Sequence, residues 1–241
     1  LGLIKAFERV PHDLLVHFAS SLGYNLHLLR LSLAAYRLPR TLMLEGVCSK
    51  LVVASRGITA GAGHAVVELR LLLQELWDRV HGLHRGVDLT VFVDDSGLEA
   101  LGTEKHILRL LPAAAKTVAD GLRELRMELS TTKCVALGSS VGLAKKVAQA
   151  CVATVPITAV AHTRSLGVGL GGGRAPASHD LWQRLQKFRE RIQRFQAARQ
   201  LAVNTARLLR TGGTASFTYG ESAVGVTPAL LHAQRVSTAK A

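Results

Sequence analysis

Asp94 and Asp95 stand side by side where the apolar run LTVFV ends, and Ser96-Gly97 follows them. Two unit charges ~4 Å apart repel by about 4 kcal/mol at an effective dielectric of 20. Such a pair is sensible where a cation or strong donors lie between the carboxylates. It is also an ordinary turn, because Asp, Ser and Gly each tolerate turn geometry. Neighbouring residues of a regular strand point to opposite faces. Both acids can therefore address one ligand only at a bend, which Ser96-Gly97 is expected to supply.

Other patterns share the chain in a fixed order: LIKAFERVPH (3–12), RGITAGAGHA (56–65), FVDD (92–95), MELSTTK (127–133) and SLGV (165–168). Together they resemble the palm subdomain of reverse transcriptases of the non-LTR retrotransposon type, over residues 1 to about 170. In that family the first block carries Lys, Ala, an aromatic and then Val-x-His; the second is Gly-rich; the third is aromatic-x-Asp-Asp. The resemblance implies RNA-directed DNA synthesis on an RNA template with a DNA primer. The reaction is an in-line displacement at phosphorus assisted by two Mg²⁺ ions, which take oxygen ligands. By resemblance Asp94 is the metal ligand and Asp95 the weaker one. Phe7 matches the aromatic that disfavours a ribose 2′-hydroxyl. Gly57 and Gly61 let backbone approach the template and incoming base pair, and Lys133 sits near the outgoing phosphates. Each has a plain structural alternative: Phe7 as core, the glycines as a loop before a helix, Lys133 as a solvated strand end.

The chain departs from the family at its first block. The position of the family's first catalytic carboxylate is Gly2, and no Asp or Glu lies between Leu1 and Phe7. Ala60 replaces the usual Gln of the second block, Thr59 stands where Pro is common, and the fingers that normally precede such a palm are not within this chain. A site lacking one principal ligand should hold Mg²⁺ poorly, so negligible polymerase activity is expected. Two alternatives stay open: a nucleic-acid-binding module without catalysis, and an unrelated α+β scaffold protein.

The elements expected to position these residues form an α+β succession: a palm-like antiparallel sheet with helices on one face (1–170), then a helical, thumb-like region (171–241). Helices are expected over 12–22 and 25–37, the second capped by Asn25, and HAVVELRLLLQELWDRV (64–80) is the most apolar and hence central helix. A hairpin is expected around Val47–Ser49, and GLGGGRAPAS (169–178) is the domain joint. In DLWQRLQKFRERIQRFQAARQ, Trp182, Leu185, Phe188, Ile192 and Phe195 recur at helical spacing. Arg184, Lys187, Arg191 and Arg194 lie on the remaining surface, as a solvated side or as a face that follows a phosphate backbone.

Thirty Lys and Arg against seventeen Asp and Glu give a net charge of +13, which favours polyanionic partners, nucleic acid first. A hydrophobic content of 48% argues for a folded chain. No apolar run is long enough to span a membrane, and no membrane partner is expected. Cys48, Cys134 and Cys151 are few and scattered, which suits reduced thiols in an intracellular protein, the nucleus included. HGLH (81–84) without nearby Cys is a weak metal pattern. Phosphate-loop, nucleophile-elbow and H-E-x-x-H motifs are absent. Lacking an initiator Met and starting in mid-pattern, the chain reads as a piece of something longer.

Overall fold

The computed structural model describes residues 1–173 and 178–241. These divide into two compact units, residues 1–136 with 145–159, and residues 137–144 with 160–241. The sequence-based boundary at 170 differs from this division, and residues 174–177 of the expected joint lie outside the described residues.

In the first unit the chain runs α1 (Ala6–Arg9), α2 (His12–Ser21), α3 (Leu26–Tyr36), β1 (Met43–Leu44), β2 (Val47–Cys48), α4 (Ala65–Leu83), β3 (Asp88–Phe92), β4 (Asp95–Glu99), α5 (Glu104–Glu124) and β5 (Val135–Ala136). Then α6 (Val141–Cys151) leads to β6 (Thr158–Ala159), which pairs parallel with β5. The fold is thus mixed helix and strand with small, mostly antiparallel sheets.

Local chemistry accounts for the helix limits. The Asn25 side chain accepts hydrogen bonds from the His27 and Leu28 amides at 3.0 and 3.2 Å, satisfying two donors at the start of α3. Gly23, with φ of 69°, follows the end of α2. Helix α4 is central: Leu69, Leu72, Leu73, Leu76 and Val80 are buried along one stripe, against Leu15 of α2 and Val118 and Leu122 of α5. Pro112 lies inside α5, which continues through it.

The turns fall elsewhere than expected. The first hairpin turns at Glu45-Gly46, not at Val47–Ser49, with φ of 49° and 82°. The second turns at Val93-Asp94, so Ser96 and Gly97 belong to strand β4 and supply no bend. A third antiparallel hairpin joins β7 (His162–Ser165) to β8 (Val168–Gly171), turning at Leu166-Gly167.

The second unit continues through α7 (His179–Arg189), α8 (Ile192–Gln200), α9 (Thr205–Leu208), a π-helical segment (Leu209–Gly213), α10 (Thr214–Thr218), α11 (Glu221–Val224) and α12 (Pro228–Lys240). The expected single helix over 180–200 is therefore two, parted at Glu190-Arg191. Leu181, Leu185, Phe188, Leu209, Phe217 and Leu230 form this unit's core, while Trp182 of the expected stripe is exposed. Arg164 of β7 pairs with Asp180 of α7, and the guanidinium holds that carboxyl below its usual range. No helix among the described residues is long and apolar enough to cross a membrane.

Candidate functional site

The acids sit on a tight two-residue hairpin. Phe92 pairs with Asp95 across the ladder, leaving Val93 and Asp94 as the loop. Val93 takes φ of 58°, a conformation that costs a β-branched residue in particular. Strain of this kind is found where surrounding structure over-determines a turn.

What holds the turn is the opening segment of the chain. Gly2 bridges antiparallel to Asp95, and Leu3 to Leu129. The Ser96 amide donates to the Leu1 carbonyl at 2.9 Å, and the Leu1 nitrogen donates to the Ser96 carbonyl at 2.6 Å. On the other edge, the Ser130 amide donates to the Gly2 carbonyl at 2.8 Å and the Ile4 amide to the Glu128 carbonyl at 3.0 Å. Residues 1–4 thus run as a middle strand between the acids and the 128–130 stretch that leads to Lys133.

Three distant sequence blocks meet there. A Cβ placed on Gly2 would lie 3.6 Å from Asp95 Oδ1, but only 2.8 Å from Lys133 Cβ and 3.1 Å from its Cδ. The carboxylate beside position 2 is therefore Asp95, whereas the resemblance gives the principal role to Asp94. The stem of Lys133 already occupies the space a side chain at position 2 would need. Asp94 is half-buried at the turn; Asp95 and Lys133 are exposed.

These residues fit a two-metal centre poorly. Glycine contributes no carboxylate, and among the described residues no three His, Cys, Asp or Glu side chains cluster as metal ligands. Two adjacent carboxylates alone are short of the oxygen donors such ions take from the protein.

A second convergence lies behind the first. The Gly57 amide donates to the Val10 carbonyl and the Ile58 amide to the Phe7 carbonyl, both at 2.8 Å. The segment passes so close that a Cβ on Gly57, whose φ is 93°, would meet the Glu8 carbonyl oxygen at 2.7 Å. Buried His12 locks the pair: its Nε2 is 2.7 Å from the Gly57 carbonyl, and its Nδ1 accepts from Arg37 Nε at 3.0 Å. Arginine can only donate, so Nδ1 is the acceptor and Nε2–H donates to Gly57. Phe7 is half-buried against the main core. Gly61, with φ of 86°, has open space around it.

The four basic candidates belong to the second unit and differ from one another. Arg184 is half-buried: it donates to the Tyr219 carbonyl at 3.0 Å and to the Gly167 carbonyl, and it stacks over the Tyr219 ring. It is a staple, not a free cation. Lys187, Arg191 and Arg194 are exposed.

Sequence reading did not single out Glu68. It is fully buried in the first turn of α4, where its Oε2 accepts from the Tyr36 hydroxyl at 2.7 Å. Burial first, and this bond second, push the Tyr36 hydroxyl pKa well up. Among the described residues, Glu68 Oε1 and the nearby buried Tyr24 hydroxyl have no hydrogen-bond partner. The only signal was a lone Glu on an otherwise apolar stripe.

No family model and no curated protein matches the chain.

Proposed function

We propose that this chain is a reverse transcriptase-like palm that binds primed template but does not extend it. The observation that carries this is the pairing of residue 2 with Asp95 beside Lys133. Patterns from residues 3–12, 56–65, 92–95 and 127–133, aligned to the family by residue type and order, are brought together with Gly2 through backbone hydrogen bonds. Their meeting supports this reading over an unrelated scaffold.

Loss of catalysis follows from the same place. In-line transfer needs cations that neutralise charge on the attacking and leaving oxygens, and Gly2 leaves their ligand set incomplete. Binding does not need that set. A net charge of +13 attracts a phosphate backbone, and Lys187, Arg191 and Arg194 offer exposed cations to it.

The test uses a labelled DNA primer annealed to an RNA template. Fluorescence anisotropy across a salt series is compared for the unaltered chain and Asp94→Asn, alongside primer extension with Mg²⁺ and deoxynucleotides. Expected are an affinity that falls steeply with salt, no change in Asp94→Asn, and no extension. Extension by the unaltered chain overturns the loss of catalysis. Absence of binding at low salt overturns the whole reading.

A further inference from the structure

We infer that the groove between α2 and α3 docks an acidic, amphipathic helix of a partner protein. The groove has a volume of about 370 Å³ and is lined by Val16, Leu26, Leu29, Leu33 and Ala34, with Arg30 and Arg37 at its margins. Leu26, Leu29 and Leu33 are spaced three and four apart, so they share one face of α3. Leu29 is the buried floor, while Val16 and Leu26 stay 42% and 46% exposed.

Charge identifies the occupant. From Tyr24 to Arg56 the basic residues are Arg30, Arg37, Arg40, Lys50 and Arg56, and Glu45 is the single acid. A second copy of the chain would bring the same cations and be repelled. A phosphate backbone would satisfy the arginines but leave the aliphatic trough unfilled, and no aromatic residue lines it for bases to stack on. A helix with apolar residues at i, i+3 or i+4 and i+7 fills the trough. Arg30 and Arg37 lie seven residues apart, about 10 Å along α3 at 1.5 Å per residue, so carboxylates two turns apart on that helix meet both. Arg37 is pre-set for this: its Nε is anchored on His12.

The arm that follows α3 is apolar and exposed as well. Leu42, Met43, Leu44 and Val47 are each more than 70% exposed. Because Met43 pairs with Cys48 and Leu44 with Val47, both faces of this hairpin are apolar and uncovered. A two-stranded hairpin is marginal alone in water, and an exposed apolar patch of this extent marks an interaction surface.

A fluorescent helical peptide with Leu at the groove spacing and Glu residues seven apart is titrated with the whole chain by anisotropy. A control peptide carries Lys in place of Glu. Saturable binding of the Glu peptide, about tenfold or more tighter than the Lys peptide, is expected. Arg30→Glu should reverse that preference, and Val16→Gln should weaken the Glu peptide with circular dichroism unchanged. Equal binding of both peptides, or indifference to Arg30→Glu, overturns the inference. So does self-association, or binding of a single-stranded oligonucleotide or phosphatidylserine vesicles, that Arg30→Glu abolishes while neither peptide binds.

Discussion

Gly57 and Gly61 separate two reasons for a glycine. Both have positive φ, which costs an L residue about 1–2 kcal/mol, but only Gly57 faces an obstacle, the Glu8 carbonyl oxygen. Gly61→Ala is expected to lose about 1 kcal/mol and Gly57→Ala at least about 3 kcal/mol, clash and strain together. Chemical denaturation of the two variants checks this, and equal losses would show that the 7–10 and 56–58 segments are not packed as described. Both glycines were visible in the sequence. Their difference was not, because it depends on a backbone forty-nine positions away.

At the scale of elements, caps were legible and turns were not. Asn25 and Gly23 mark helix ends through bonds to near neighbours, so sequence alone locates them. The acidic hairpin obeys a longer-range rule. Pairing Phe92 with Asp95 sets Leu89 opposite Leu98, and both pack on the main core. Sliding the turn to Ser96-Gly97 would change that register and lift the leucines from the core. Packing therefore overrides turn preference, and Val93 bears the strain. Helices α7 and α8 show the converse: the stripe was legible but not the bend, since Phe188 and Phe195 still meet, at 5.8 Å between ring centres, with two residues of turn between the helices. Helix α5 offers a test of how far packing overrides propensity. Pro112 removes one backbone donor and crowds the preceding turn, so Pro112→Ala is expected to stabilise the chain by about 2–3 kcal/mol, read by denaturation followed in the far ultraviolet. No gain would mean that a bend at Pro112 is needed for packing on α4.

Across the whole molecule, charge is the property most plainly written in the sequence. An excess of thirteen positive charges opposes compaction, and ion pairs such as Arg79–Glu124 and Lys146–Glu104 are exposed and individually weak. Raising ionic strength from about 0.01 to 0.15 M shortens the screening length from about 30 to 8 Å. The melting temperature is therefore expected to rise by a few degrees over that range, measured in thermal scans with sodium chloride. A flat or falling response would place the charges where they are already compensated. What composition could not reveal is the threading of the two units. Because residues 137–144 belong to one and the flanking stretches to the other, the polypeptide passes between them three times. A single protease nick cannot separate the two units without leaving a piece of one attached to the other. Nor can a ribosome finish the first before it has begun the second.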